Sequence, residues 1–216
     1  MKKNGTELVF ILDESGSMSN LVSDTIGGFN SLIEKQKRED GECIVSVVMF
    51  NQVQRVLHDR VAIKNIAELT EREYCPGGGT ALLDAIGGAI HHIGNVHKYA
   101  REKDRPDHTI FIITTDGREN SSGYYRVERI RNMVERQKNR YGWEFLFLGA
   151  DIDAIETARN YGIDESRAAR FHNDSKGIAI NYFSIGEAVH TVRSNRQLDR
   201  SWKRHTERDY EERDNG

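Results

Sequence analysis

The sequence predicts an α/β domain: a doubly wound, mainly parallel sheet of six strands, with one antiparallel edge strand and helices on both faces. Three observations lead there. Short apolar runs at 8–12, 43–50, 108–115 and 145–148 have the unbroken character of strands buried on both faces. Segments with apolar residues at helical spacing alternate with them, as in βαβ units. The runs at 43–50 and 53–61 lie so close in sequence that they read as an antiparallel hairpin.

The elements follow in order. Leu8 to Leu12 form the first strand, which stops at Asp13. Val22, Ile26, Phe29 and Ile33 mark one face of a helix over about 20–38. Gly27 and Gly28 inside it each cost up to about 1 kcal/mol of helix propensity, and close packing of this helix on the sheet is the expected compensation. Cys43 to Phe50 is strongly β-branched. Val53 to Val61 alternates apolar with polar, and Arg55, Asp59 and Arg60 suit an edge strand guarded against aggregation. A less regular stretch, 64–75, holds a short helical turn. The loop Cys75-Pro76-Gly77-Gly78-Gly79-Thr80 then opens a helix with Leu82, Ile86, Ala89, Ile90 and Ile93 inward. His108 to Thr115 is the next central strand, ending at Asp116-Gly117. An amphipathic helix spans 126–141, with Val127, Ile130 and Val134 on its apolar face. Phe145 to Leu148 is a strand closed by Gly149. Asp153 and Glu156 resemble a capping box for a helix over 153–161. A short strand at 168–171 and a helix at 176–194 complete one domain, 1–195. Residues 196–216 hold six Lys/Arg and six Asp/Glu. They are expected to be a solvated extension of the last helix or disordered.

Composition excludes several classes of function. A chain of 216 residues with 37% hydrophobic and 30% charged residues is globular and has room for one well-cored domain. The formal net charge of −3 gives no bulk attraction to nucleic acid. The Arg and Lys of 126–140 and 193–204 interleave with acids and read as solvated helix faces. No apolar run approaches the roughly 18 residues of a membrane span, and the run before Asp13 is too short for a signal-peptide core. Cys43 and Cys75 lack metal-ligand spacing, and a disulfide is not expected without an export signal. The expectation is a soluble, cytoplasmic monomer with neither nucleic acid nor membrane as partner. His91 and His92 point about 100° apart on a helix and make poor co-ligands. No partner is evident for His58, His97 or His108.

Asp13-Glu14-Ser15-Gly16-Ser17 places a carboxylate and two hydroxyls at alternate positions on a tight loop at the carboxyl end of a strand, where open α/β sheets bind ligands. Oxygen-only groups suit a hard cation such as Mg²⁺. The same residues also fit a plain strand end, with Ser17 or Ser19 capping the next helix, and Thr80 fits a helix N-cap. The Gly-rich loop is not a P-loop, because no Gly-Lys-[Ser/Thr] follows. In the winding order 3-2-1-4-5-6, Asp13 and Asp116 emerge side by side at the switch point. Asp13, Ser15, Ser17, Thr80 and Asp116 then form one oxygen cage.

This three-part pattern resembles the von Willebrand factor A (vWA) domain, a Rossmann-like fold, and its metal-ion-dependent adhesion site, over about residues 6–195. All five metal positions are filled here, and Glu14 and Met18 stand at variable ones. The resemblance implies that Ser15 and Ser17 bind the metal directly and Thr80 directly or through water. Asp13 and Asp116 act mostly through water. It implies Mg²⁺, with Mn²⁺ or Ca²⁺ as substitutes, and capture of an Asp or Glu from a partner protein. For a stand-alone intracellular bacterial or phage member it implies complex assembly, beside an AAA+ ATPase. The alternative is a Mg²⁺-dependent hydrolase or phosphotransferase. Its common Asp-x-Asp pattern is missing, because Ser15 stands where the second Asp would be.

Overall fold

The structure, a computed structural model, describes residues 5–150 and 153–214. The outermost residues of the expected domain and tail, 1–4 and 215–216, lie outside the described residues. Six strands form one sheet: β1 (Thr6–Asp13), β2 (Cys43–Phe50), β3 (Gln54–Ala62), β4 (His108–Thr115), β5 (Glu144–Ala150) and β6 (Ala168–Phe171). Their spatial order is β3-β2-β1-β4-β5-β6. All neighbours are parallel except β2 and β3, so the edge hairpin and the winding are as the sequence predicts.

Helices α1 (Val22–Lys37) and α5 (Ser175–Arg193) cover one face, and α2 (Leu82–Tyr99), α3 (Val127–Tyr141) and α4 (Ala154–Asn160) the other. The period-two geometry of a strand sorts β1 between them. Leu8, Phe10 and Leu12 enter the core under α1 and α5, while Val9 and Ile11 enter the one under α2 and α3. Every residue of β1 is buried, which explains its unbroken apolar run. Glu7 is the exception in kind. Its carboxylate is fully buried, and it accepts from Arg60 Nε at 2.7 Å and faces His97 Nε2 at 2.6 Å. A buried carboxylate persists only with such partners. His97 therefore has a partner that the sequence did not suggest, as does His108, whose Nε2 lies 2.7 Å from Asn195 Oδ1.

Three expectations change. A six-residue 3-10 segment, Gly16–Leu21, precedes α1, which starts at Val22 rather than 20. Gly28 of α1 serves packing against α5, not the sheet: an added Cβ would lie 2.2 Å from the Tyr182 ring, whereas one at Gly27 would meet nothing within 4 Å. Arg193, in the last turn of α5, donates to the carbonyls of Gln36, Glu39 and Asp40 at the end of α1, which locks the pair. The residues after 195 are neither an extension of α5 nor free of structure. They fold back as a 3-10 turn (Arg200–Lys203) and α6 (Arg204–Asp214). Leu198 and Trp202 are buried in the α1/α5 core, and Trp202 Nε1 donates to the Ser166 carbonyl at 2.9 Å. The Lys203 ammonium is fully buried, where it donates to the carbonyls of Glu165 and Ala168. Two buried apolar anchors and a satisfied lysine outweigh the charge of the segment, which composition alone cannot reveal.

The two adjacent glycines give a paired prediction. Gly28→Ala is expected to destabilise the fold by about 1–3 kcal/mol, the usual cost of overpacking. Gly27→Ala is expected to be neutral or to stabilise by up to about 1 kcal/mol. Urea unfolding of the two variants checks both signs.

Candidate metal centre

Adjacent parallel strands β1 and β4 end together, with Leu12 in register with Thr114. Asp13 and Asp116 consequently leave the sheet at one rim. Asp13 is held before any ligand is considered: its Oδ1 accepts from Ser15 N at 2.8 Å and its Oδ2 from Thr115 Oγ1 at 2.5 Å. Its backbone carbonyl accepts from the buried Tyr74 hydroxyl at 2.6 Å. Asp116 is held from both sides. Ser17 Oγ donates to Oδ1 at 2.6 Å, and Asn173 Nδ2 donates to Oδ2 at 2.8 Å.

The hydroxyls are not helix caps. Neither the 3-10 segment nor α1 has a side-chain cap, and Ser19 Oγ donates to the Gly16 carbonyl instead. Ser15 Oγ lies 3.1 Å from Ser17 Oγ. Nor does Thr80 cap α2, which begins at Leu82. That helix is capped from another loop, where Glu119 Oε2 accepts from Leu83 N and Ser122 Oγ accepts from Asp84 N. Thr80 is instead clamped through its backbone, whose N–H donates to Asn120 Oδ1 and whose carbonyl accepts from Asn120 N. Its hydroxyl faces the third loop: a Cβ added at Gly117 would lie 3.1 Å from Thr80 Oγ1 and 3.9 Å from Ser15 Oγ. The structure thus brings all five expected residues together.

Backbone contacts hold the loops in this arrangement. Gly77 N donates to the Glu14 carbonyl at 2.8 Å and Gly16 N to the Gly78 carbonyl at 3.2 Å. The glycines differ in their reasons. Gly78 adopts φ +76°, which side chains resist, and Gly79 makes room for Ser121, whose Oγ would stand 2.2 Å from an added Cβ. Glu14 is more than a variable position. It is buried and paired with Arg55 of β3 at 2.8 Å, which anchors the first loop to the edge hairpin. Met18 is likewise a core residue.

Charge decides what the rim can hold. Asp13 and Asp116 are both buried. Among the described residues neither has a lysine, arginine or histidine as ion-pair partner. Burial raises the Asp13 carboxyl above its ordinary range, and the Thr115 and Ser15 hydrogen bonds offset this only in part. Asp116 adds repulsion. Two carboxylates lacking a protein counter-charge fit a cation. Spacing agrees: at the 2.0–2.1 Å bonds of Mg²⁺, adjacent oxygens of an octahedron stand about 2.9 Å apart. The Ser15–Ser17 separation of 3.1 Å is close to that edge. By contrast, among the described residues no group of three His, Cys, Asp or Glu side chains could hold a metal.

Sequence reasoning missed Thr115, Asn173 and Tyr74. Thr115 carried a faint signal, a hydroxyl residue directly before the aspartate. Asn173 and Tyr74 carried none, since they reach the site from 57 and 61 residues away.

No protein-family model matches the chain, and no curated protein matches it. Solved structures do. Proximal thread matrix protein 1 from the mussel byssus is similar over 86% of this chain and 46% of that one, with a TM-score of 0.58 and 13% identity. The same mussel protein is known with a zinc-occupied MIDAS motif, at TM-score 0.59 and 13% identity over 86% of this chain and 46% of that one. A von Willebrand factor type A structure from Catenulispora acidiphila is similar over 85% of this chain and 42% of its own, at TM-score 0.57 and 16% identity. The chain spans less than half the length of each. At such identities the likeness is one of fold, and the fold is that of vWA domains.

A raised folded value means that ionised Asp13 costs stability at neutral pH. That cost fades as pH falls toward the ordinary carboxylate range. In metal-free buffer Asp13→Asn is therefore expected to raise the melting temperature at pH 7, with the gain shrinking near pH 4. Thr115 can accommodate the change, because its hydroxyl also lies 3.2 Å from the Gly117 carbonyl and can donate there. Differential scanning calorimetry in EDTA at the two pH values measures it.

Proposed function

We propose that the chain is a metal-dependent protein-binding module. Asp13, Ser15, Ser17, Thr80 and Asp116 hold a divalent cation, Mg²⁺ or a substitute such as Mn²⁺ or Ca²⁺, and the ion captures an Asp or Glu of a partner protein. The observation that carries this reading is the Ser15–Ser17–Asp116 contact. It gathers oxygens from segments 99 residues apart beside a buried carboxylate with no protein cation. The zinc-occupied MIDAS motif of the mussel protein supports a metal on this fold.

Donor chemistry connects the metal to the partner. Ser15, Ser17 and Thr80 offer neutral hydroxyls, so the ion's charge is only partly compensated by the chain. The bound ion supplies a strong electrostatic attraction for an outside carboxylate, strengthened where the walls exclude water. Thr115 and Asn173 fix the two aspartates, leaving the hydroxyl lone pairs turned to the rim. Gly16 and Ser17 are exposed while Asp13, Ser15, Thr80 and Asp116 are buried, so access is from one side. The hydrolase alternative lacks a second carboxylate where Ser15 stands. As partner we propose a component of an AAA+ ATPase complex, met by this chain as a monomer. Among the described residues no helix is long and apolar enough to cross a membrane.

Metal titration tests the site and pull-down tests the partner. Mg²⁺ at 100 times its Kd is expected to stabilise the protein by about 2.7 kcal/mol. Asp13→Ala and Thr80→Ala should stay folded and lose that gain, and a partner held in Mg²⁺ should be released by EDTA. If both variants respond to metal as the wild type does, the reading fails. Metal-dependent phosphate-ester hydrolysis that disappears in Asp116→Asn would put the hydrolase in its place.

A further inference from the structure

Between α2 and α3, from the first turn of α3 to the end of the sheet opposite Asp13, runs a cavity of about 780 Å³. This is the size range of small-molecule sites. Lys98, Arg105, Arg129, Arg136 and Arg140 line it and are exposed, against one carboxylate, Asp107. Asp107 already accepts from Gly5 N. The wall is therefore strongly positive in a chain whose net charge is −3.

The sequence hides this concentration and the helix reveals it. At 100° per residue, Arg129, Arg136 and Arg140 fall within about 40° of one another on α3, while Glu128 and Glu135 lie about 80–140° from them round the helix. Glu135 accordingly packs beside Gly162, away from the cavity. Several other arginines are paired with carboxylates, as Arg55 with Glu14, Arg60 with Glu7 and Arg167 with Glu144. Among the described residues none of the five cavity cations has such a partner. Arg105 donates to the Ala100 carbonyl, and Lys98, Arg129 and Arg140 lie over the rings of Tyr99, Tyr125 and Tyr141. Cations near helix ends also serve the helix dipoles. The ends of α2 and α3 supply only roughly −0.5 each, which leaves most of the excess uncompensated. The floor is of another kind, with Ile90, Met133 and the buried Trp143 presenting apolar and aromatic surface.

We infer that this cavity is a binding site for a nucleoside polyphosphate. Its arginines receive the phosphates in the bidentate manner that guanidinium favours, and its apolar floor receives the base. A half-open cleft of this size suits a single nucleotide better than a strand. The site shares no residue with the candidate metal centre and does not depend on it.

Equilibrium dialysis of the whole protein with ATP at 150 mM salt in EDTA tests this, with inorganic tripolyphosphate and a single-stranded RNA oligomer as parallel probes. The expected result is saturable 1:1 binding of ATP, tighter than tripolyphosphate and retained in Asp13→Ala. Arg129→Glu/Arg136→Glu should weaken it at least tenfold, and the distant control Arg38→Glu/Lys64→Glu less than twofold. Should the charge-reversed pair fail to fold, Met133→Trp fills the cavity without changing charge and should weaken binding likewise. No saturable ATP binding at millimolar concentration overturns the inference, as does equal loss in the control pair. Tripolyphosphate binding as well as ATP would show a site for charge alone, and tighter RNA binding would show a nucleic-acid surface. Either result overturns it too.

Discussion

Two buried carboxylates at one rim, with no cation among the described residues paired to them, are the constraint around which this domain is arranged. Bringing Asp13 and Asp116 together costs desolvation and mutual repulsion, and the chain meets that cost locally rather than relieving it. Thr115 and the Ser15 amide hold Asp13, while Ser17 and Asn173 hold Asp116. Hydrogen bonds to a carboxylate favour its charged form, and at Asp13 they offset part of the penalty of burial. The sheet makes this possible. Only a central, parallel β1–β4 pair delivers two strand ends to the same place, and only the reversal of winding there leaves a gap between helices for the loops.

The loops in turn depend on each other more than on their own helices. In most α/β proteins a Ser or Thr after a strand caps the helix that follows. Here the capping duty for α2 passes to Glu119 and Ser122 of the third loop. That exchange ties the second loop to the third and releases the Thr80 hydroxyl. Glu14 and Arg55 fix the first loop to the edge hairpin in the same spirit. Distant segments brace one another so that the Ser15 and Ser17 oxygens stand 3.1 Å apart, and bracing of this kind is what a binding site requires.

How much of this could be read from the chain follows from the range of each interaction. β2 and β4 match their expected bounds because a buried strand writes itself as a continuous apolar or β-branched run. The capping box at Asp153 is local and holds, with Asp153 Oδ1 accepting from Glu156 N. The five candidate metal-site residues were legible because each sits directly at a strand end or loop–helix junction. Thr115 aside, the residues that brace them were not. Asn173 and Tyr74 act across dozens of residues, through a register that no local pattern encodes. The tail was misread for a related reason. Its composition is that of a solvated segment, and its docking rests on Trp202, Leu198 and the buried Lys203, whose carbonyl partners lie more than 30 residues away.

Charge shows the same limit in its sharpest form. Along α3, acids and bases alternate closely enough to look self-neutralising, and a linear reading assigns them to solvent. Rotation by 100° per residue sorts them instead onto different sides, and α2 then closes one side into a cavity. Among the described residues, carboxylates without an ion-pair partner gather at the strand carboxyl ends, and guanidinium groups without one line the α2/α3 groove. A net charge near zero conceals that polarity, because net charge sums over the surface while binding depends on the field at one place. Sites set apart on one domain in this way do not compensate each other's charge.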